Sequence, residues 1–245
     1  MAELSPMMKQ YFETKKKYPD TILMFRLGDF YEMFFDDAVT ASRELELVLT
    51  GRACGQEERA PMCGVPFHSA DSYMARLVAK GYKVAICEQM EDPALAKGLV
   101  KREVVRVLTP GTVIENSMLN EGRNNFLASV YFTGESAGVC FIDVSTGSVN
   151  LTELAAPALP DKIINEIGRF MPSEIVFNSA SSSLTKVFSF ISNKTEALAQ
   201  ELGDDYFDPQ SSAEIILKHF KKDSLSELEL NETGAAVPAL GAALK

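Results

Sequence analysis

The sequence lacks the patterns on which membrane spans, nucleotide sites and common hydrolases depend. No apolar run approaches the roughly 18 residues of a membrane helix, and the N-terminus has no basic region followed by an apolar stretch. There is no Gly-Lys dipeptide, hence no G-x-x-x-x-G-K-[ST] phosphate loop, and neither H-E-x-x-H nor G-x-S-x-G occurs. The first expectation is therefore a cytoplasmic protein whose 245 residues contain no catalytic site.

Cysteine is also scarce, and its spacing argues against a zinc site. The four cysteines form no C-x-x-C pair, and the grouping of Cys54, Cys63 and His68 lacks a fourth ligand at zinc spacing. Reduced, mostly buried thiols are predicted. With 46% hydrophobic and 24% charged residues, the composition is that of a soluble globular protein with one large or two ordinary domains.

Basic charge is in short supply. The net charge is −10, which argues against a protein that binds nucleic acid by bulk electrostatics. Residues 1–120 hold 15 Lys and Arg against 17 Asp and Glu, a balance of −2, so the remainder carries −8. If one half of the chain contacts nucleic acid, we expect it to be the first half.

Capping residues and periodicity predict alternating helices and strands in the first half. The predicted elements are a helix from Ser5-Pro6 to Lys17, a buried strand over 21–27, a helix capped by Asp36 or Asp37 with Ala38, Ala41, Leu45 and Val48 inward, a polar hairpin loop over 50–59, a helix over 70–79 ended by Gly81, and strands over 83–88 and 103–108.

The stretch from Gly28 to Ala38 is the most unusual in the chain. It follows an apolar run, and four aromatic side chains within six residues surround one carboxylate, Glu32. If the backbone is extended, its two-residue period places Phe30 and Glu32 on one face. Composition alone favours a buried core aromatic beside a solvated charge, because large apolar side chains are mostly buried.

Four runs in this sequence resemble the MutS family of DNA mismatch-repair proteins. FRLGDFYEMF at 25–34 is similar to the signature of the family's mismatch-recognition domain. APMCGVPFH at 60–68, VAICEQ at 84–89 and VVRVLTPGT at 104–112 follow in the family's order and spacing. The resemblance covers about residues 5 to 130 closely and the remainder more loosely.

The resemblance implies a role in probing the DNA duplex from its minor groove. In the family, the ring of a Phe-x-Glu triplet stacks on a mispaired base and the carboxylate hydrogen-bonds to it, which here implies Phe30 and Glu32. A weak base pair is the cheapest place to open and kink a duplex. The carboxylate is repelled by phosphates, which disfavours intact duplex, and a protonated Glu32 near the polyanion could donate to a base.

The resemblance also implies several contacts to sugar and phosphate. From the residues alone, Lys97, Lys101 and Arg102 in the loop over 90–102 are flexible cations that suit sugar and phosphate contacts but are equally typical of an ordinary solvated face, and the resemblance favours Arg102 among them. His68 is expected to be a structural or backbone-contacting group rather than a proton shuttle. The further DNA-binding residues implied by the resemblance are Arg52, Pro66, His68, Lys97 and Arg102.

The second half has a different pattern, and it defines the predicted fold class. Strands over 125–131, 138–144 and 148–153 read as an antiparallel meander, followed by a helix over 160–170 and a strand over 174–177. Helical stretches are predicted around 196–202 and over 212–220. This order resembles the family's connector domain, so we predict an α/β protein: an α+β mixed-sheet recognition domain over 1–113, a linker over 114–124, and a ribonuclease-H-like α/β connector domain over 125–245.

A metal-dependent, ribonuclease-H-like nuclease centred on Asp143 is the alternative function. Asp143 ends a strand, as does the leading acid of nucleases that hold two metals with several carboxylates. The sequence does not place its partner carboxylates. Asp143 is therefore predicted to cap the turn that follows, because Asp readily bonds the backbone of the next residues.

The family resemblance sets the remaining expectations. In the family the ATPase, lever and clamp regions lie C-terminal to the connector, and the apolar end Ala239–Lys245 is expected to have nothing to pack on, so an N-terminal fragment without a cofactor is expected. ATP and Mg²⁺ belong to the full-length family. The expected partners are mismatched double-stranded DNA, a second MutS subunit and a MutL-like repair protein, without a membrane, in a cytoplasmic, nucleoid-associated location.

Overall fold

The computed structural model describes residues 4–91, 98–115, 118–119 and 122–245. The chain forms two compact units that divide between Thr109 and Pro110. Each unit is a mixed sheet with helices packed on it, which confirms the predicted α/β fold class. In the described ranges, no helix is both long and apolar enough to cross a bilayer. The domain limits at 113 and 125 stay a prediction, as does the linker, part of which lies outside the described residues.

The first unit is a six-stranded sheet in the order β3-β4-β2-β1-β5-β6. Strands β1 and β5 are parallel, and every other neighbouring pair is antiparallel. The Ser5 side chain accepts a hydrogen bond from Met8 N at 3.4 Å, which caps the first helix as predicted. The elements are α1 Pro6–Lys17, β1 Ile22–Leu27, β2 Phe30–Phe34, α2 Phe35–Leu45, β3 Thr50–Arg52, β4 Ala60–Pro66, a 3-10 turn Phe67–Ser69, α3 Ala70–Ala79, β5 Val84–Gln89 and β6 Arg102–Leu108.

Helix α2 differs from the sequence-based expectation at both ends. Phe34 is its N-cap and makes no side-chain capping bond, so the predicted cap at Asp36 or Asp37 is wrong. Asp37 is instead buried, where its carboxylate binds the Leu23 N–H of β1 at 3.0 Å. The helix ends at Leu45, and Val48 is 84% exposed because it lies beyond that end rather than on the apolar stripe.

The second unit is a five-stranded sheet in the order β11-β10-β7-β8-β9. Strands β7, β8 and β9 form the predicted antiparallel meander, and β10 runs parallel to both β7 and β11. The elements are β7 Phe126–Phe132, β8 Ser136–Asp143, β9 Ser148–Ala155, α4 Leu159–Phe170, β10 Glu174–Phe177, α5 Thr185–Lys194, β11 Leu198–Glu201, α6 Pro209–Phe220 and α7 Ala236–Leu244, with short 3-10 turns between some of them.

Three elements of the second unit differ from the sequence-based predictions. The sequence predicts a helical stretch around 196–202, but Leu198–Glu201 forms strand β11 because it pairs in parallel with β10. Helix α5 is not among the predicted elements, and it buries Val187 and Ile191 one turn apart. The apolar C-terminal stretch does have a packing partner, since α7 buries Val237 and Leu240 against β8 and α6.

The prediction of reduced, buried cysteines is confirmed. All four are free and buried. Burial raises the pKa of Cys63 to about 11, and it raises the pKa of Cys87 and of Cys140 to about 12. The thiols of Cys63, Cys87 and Cys140 are therefore neutral core groups at physiological pH rather than nucleophiles.

Candidate nucleic-acid interface

A two-residue hairpin turn presents the aromatic segment of the first unit. Leu27 of β1 pairs with Phe30 of β2, and Gly28 between them takes a positive φ of 59°. Glycine at the first position of a two-residue turn matches the right-handed twist of the flanking strands. Phe30 is consequently the first residue after the turn, at the end of the sheet.

Phe30 is exposed at this end of the sheet, whereas the next residue of β2, Tyr31, is buried. The Phe30 side chain is 47% exposed, whereas Tyr31 is 3% exposed on the opposite face of β2. Across the sheet, Phe30 pairs with Pro66, the last residue of β4. The exposed His68 follows in the 3-10 turn. The structure thus brings Phe30, Pro66 and His68, all named from the sequence, to one end of the sheet.

Glu32 lies on the same face as Phe30, two residues along β2, as the strand period predicts. Its carboxylate forms a salt bridge with the guanidinium of Arg52 on β3. The Glu32 side chain is 13% exposed and that of Arg52 is 37% exposed. The sequence suggested each residue as a separate DNA contact, and it did not suggest that the two bind each other.

Arg26 connects the hairpin turn to the neighbouring 3-10 turn. Its Nε donates to the Gly28 carbonyl at 2.6 Å, and its guanidinium lies 3.5 Å from the centre of the Phe67 ring. The Phe67 N–H donates to the Asp29 carbonyl at 2.8 Å. The hairpin and the 3-10 turn beside it are therefore bound to each other through backbone and side-chain contacts.

The buried face of the hairpin is tied to strand β5. The Tyr31 hydroxyl donates to the Glu88 carboxylate, and the Arg26 Nη1 lies 3.9 Å from Glu88 Oε2. Burial, followed by the contact with Glu88, raises the pKa of the Tyr31 hydroxyl well above its ordinary value. Tyr31 therefore remains a neutral hydrogen-bond donor beneath the exposed ring.

Arg102 departs from its expected state. It begins strand β6 and is 8% exposed, so the prediction of a flexible loop cation is wrong. Its Nε donates to the Arg26 carbonyl at 2.7 Å, and its Nη1 donates to Gln10 Oε1 at 3.0 Å and to the Val100 carbonyl at 2.9 Å. Burial lowers the pKa of this guanidinium. The Arg102 guanidinium thus donates to two backbone carbonyls and is buried from solvent.

Of the other two loop cations, the structure describes only Lys101. Lys101 is exposed and forms an ion pair with Glu103 at 2.7 Å. Lys97, which the sequence singled out as a DNA contact, lies outside the described residues.

Asp143 in the second unit behaves as a turn cap, as predicted. It is 1% exposed, and its Oδ1 accepts from the Ser145 N–H at 3.0 Å and from the Thr146 N–H at 3.3 Å. Its Oδ2 accepts from Asn124 Nδ2 at 2.8 Å and from the Asn125 N–H at 3.3 Å. Among the residues that the structure describes, no group of three metal-ligating side chains occurs.

In the sheet of the second unit, a cavity of about 900 Å³ lies at the end opposite to Asp143. Tyr131 and Asn178 line it where the parallel strands β7 and β10 end, together with Asp204. Asp143 pairs with Phe126 at the start of β7, so it lies at the opposite end from the cavity. In open α/β sheets, ligands bind at the carboxyl ends of parallel strands, which Asp143 does not reach. This position gives no support to a nuclease centred on Asp143.

Comparison with known proteins covers both units. Residues 5–117 match the family model described as MutS domain I, and residues 125–245 match MutS domain II. The protein named DNA mismatch repair protein MutS from Ruminiclostridium cellulolyticum is 51% identical over 245 residues, which is 100% of this chain and 28% of the relative. Its namesake from Lachnoclostridium phytofermentans is 49% identical over 245 residues, 100% of this chain and 26% of the relative. That from Alkaliphilus oremlandii is 54% identical over 177 residues, 72% of this chain and 20% of the relative. The chain thus spans little more than a quarter of the length of the first two of these curated relatives.

Proposed function

This chain belongs to the MutS family, and from that premise we propose that it binds mismatched double-stranded DNA, with Phe30 as the wedge at the mispaired base and Glu32 as the group that hydrogen-bonds to that base. The observation that carries the proposal is the 47% exposure of Phe30 at the end of a sheet. Inserting an apolar side chain between base steps costs a few kcal/mol, and it costs least where pairing is already weak. A mismatch is therefore the preferred site of insertion.

The support beneath Phe30 suits this role. A wedge binds best when it is already held in position in the free protein, because ordering a side chain or loop on binding costs free energy and lowers affinity. The contacts of Arg26 with the Gly28 carbonyl and the Phe67 ring hold the hairpin in place before DNA arrives. In this proposal, Arg102 supports the same hairpin through the Arg26 carbonyl rather than binding phosphate.

Charge limits how tightly this chain can bind. Each phosphate that a protein neutralises adds affinity through counterion release, and the net charge here is −10. We propose Arg52, His68 and Lys97 as the phosphate and sugar contacts, with Pro66 packing beside the wedge. So small a set predicts weak binding whose preference for a mismatch comes from the wedge rather than from bulk electrostatics.

We extend the proposal to the second unit as a connector. In this view residues 125–245 couple DNA binding to a nucleotide-binding ATPase with its Mg²⁺, to a second MutS subunit, and to a MutL-like repair protein in the cytoplasm. The chain itself would hold no cofactor. The support for this part is the match of residues 125–245 to MutS domain II.

The test compares Phe30→Ala with Phe12→Ala in the 245-residue chain. Phe12 is 40% exposed on helix α1 of the same unit, so it controls for the loss of an exposed phenyl ring. Duplexes carrying 2-aminopurine beside a G·T mismatch, or beside a matched pair, report unstacking by fluorescence at low salt. We expect the mismatch-dependent rise in fluorescence to disappear in Phe30→Ala and to persist in Phe12→Ala. An unchanged response in Phe30→Ala would refute the wedge assignment.

A further inference from the structure

We infer that Arg52 is a positioning residue for Glu32: it holds the carboxylate in the DNA-free protein and exchanges it for a DNA phosphate when a mismatched duplex binds. The inference rests on the proposed function. It adds a coupling between the phosphate contact and the base contact, which are usually treated as separate.

The ion pair has the placement that such an exchange needs. Arg52 lies on β3, at the edge of the sheet, and Glu32 lies on β2, separated from it in the sheet order by β4. In the strand register Arg52 is opposite Ala60 of β4 and Glu32 is opposite Gly64, so the long Arg52 side chain reaches along β4 to the carboxylate, whose stem lies beside Gly64. Arg52 is 37% exposed while Glu32 is 13% exposed, so an approaching phosphate reaches the guanidinium before it reaches the carboxylate.

The exchange is energetically cheap for Arg52. A partly solvated ion pair between side chains contributes little, because water screens the charges and both side chains lose freedom. A guanidinium binds phosphate through two parallel hydrogen bonds, and DNA also releases counterions when a phosphate is neutralised. Phosphate is therefore a strong competitor for Arg52 once the duplex is docked.

The exchange is costly for Glu32 unless DNA provides a new partner. A carboxylate that is mostly buried and has lost its cation carries an uncompensated charge. In a matched duplex the bases have satisfied their Watson–Crick hydrogen bonds, whereas a mispaired base leaves donors free for a carboxylate. On matched duplex Arg52 therefore stays with Glu32, and on a mismatch the exchange goes to completion.

This coupling has a signature in the salt dependence of binding. Each phosphate neutralised on B-DNA steepens the slope of log K against log salt by about 0.9. The wild-type chain is expected to show a slope steeper by about that amount for a G·T duplex than for a matched duplex, since only the mismatch releases Arg52. Arg52→Ala should make the two slopes equal, and Arg52→Lys should restore the difference because it supplies the same charge.

A second readout follows the guanidinium directly. In the 245-residue chain with ¹⁵N-labelled arginine, the Arg52 Nε resonance is assigned from its loss in Arg52→Lys, and Glu32→Gln marks the position of the released group. We expect the resonance to move toward that released position on addition of the G·T duplex and to stay in place on addition of the matched duplex. Arg43, whose Nε donates to Glu44 at 3.0 Å on helix α2, should not respond to either duplex.

The outcomes separate this inference from the proposed function. If the chain prefers the G·T duplex in a Phe30-dependent way while the Arg52 resonance stays in place and the two salt slopes are equal, the exchange is wrong and the wedge stands. A resonance that moves equally with both duplexes also overturns the exchange. If no Phe30-dependent preference for the mismatch exists at concentrations that saturate the DNA, the proposed function fails and the inference fails with it.

Discussion

Glu32 on β2 lies directly opposite Gly64 on β4. A Cβ atom at position 64 would lie 3.4 Å from the Glu32 Cγ and 3.3 Å from the Tyr31 carbonyl oxygen. The missing side chain therefore leaves the space in which the stem of the carboxylate lies. Glycine at position 64 therefore affects the candidate site, because it determines the positions that the Glu32 carboxylate can occupy.

Replacing Gly64 with Ala is expected to reduce the preference for a mismatch without unfolding the first unit. The added methyl group must displace either the Glu32 stem or the strand by a few tenths of an ångström, which worsens the distance and angle of a hydrogen bond from a base to Glu32. Fluorescence anisotropy with G·T and matched duplexes measures the preference. In a Glu32→Ala background the same substitution should have no further effect; an equal loss in both backgrounds would contradict this reading.

Asp37→Asn is expected to destabilise the first unit by about 2 kcal/mol, since hydrogen bonds to a buried charged group are among the stronger ones. The carboxylate binds the Leu23 N–H at 3.0 Å, Lys15 Nζ at 2.8 Å and the Tyr11 hydroxyl at 3.3 Å. Urea unfolding followed by circular dichroism measures the change. Asp36→Asn, at the exposed neighbouring residue, is the matched control and should change the free energy of unfolding little. Equal effects at both positions would remove the special role of Asp37.

Gly138→Ala is expected to destabilise the second unit by roughly 3 kcal/mol or to prevent its folding, because overpacking against backbone has no cheap relief. A Cβ atom at position 138 would lie 2.0 Å from the carbonyl oxygen of Ala235, at the start of α7. Limited proteolysis and urea unfolding report the loss. The control is Gly168→Ala in helix α4, where the nearest atom, Phe190 Cζ, is 3.6 Å away. That variant should be neutral or slightly more stable, and similar damage in both variants would contradict the close packing of α7.

The contribution of Asp143 to the stability of the second unit is expected to decrease at acid pH. Burial alone would raise the pKa of this carboxyl, but hydrogen bonds from Ser145, Asn124 and Asn125 lower it below its ordinary 3.8. A carboxyl whose folded pKa is lowered contributes stability above its unfolded pKa and loses it as pH falls through the folded value. The difference in unfolding free energy between wild type and Asp143→Asn should therefore be about 2 kcal/mol at pH 7 and shrink below about pH 4. The same substitution at the exposed Asp161 is the control; a difference that does not vary with pH would show that the charge of Asp143 is unimportant.

The alternative function predicts metal-dependent cleavage. We expect no cleavage of plasmid or RNA–DNA hybrid by this chain with Mg²⁺ or Mn²⁺ that depends on Asp143, because its Oδ1 accepts from the turn at Ser145 and its Oδ2 accepts from Asn124 and Asn125. The assay compares wild type with Asp143→Ala. Cleavage that requires metal and is lost in Asp143→Ala would restore the nuclease interpretation.

Local patterns predicted much of the architecture. Ser5 followed by Pro6 marked the start of α1, Gly81 marked the end of α3, and alternation with turn residues located the meander of the second unit. These signals act within a few residues of where they are read. The stretch that became β11 has helix-forming residues, and its strand conformation comes from pairing with β10, which no local pattern encodes.

The candidate site shows the same division. The run from Phe25 to Phe34 identified the family and named Phe30 and Glu32 from sequence alone. The sequence did not predict that Arg102 would be buried beneath the hairpin, since it contacts a carbonyl 76 residues away. Nor did it show that one candidate cation would be bound to the candidate carboxylate.

By itself, the sequence determined the family, the mixed α/β class and the face of β2 that carries Phe30 and Glu32, because each depends on neighbouring residues or on short motifs. Only the tertiary structure decided which charges meet. Arg52 and Glu32 are 20 residues apart and come together through the pairing of β2, β4 and β3. The physical reason is that the partner of a charged group depends on sheet register and burial, which arise only when strands distant in the chain assemble.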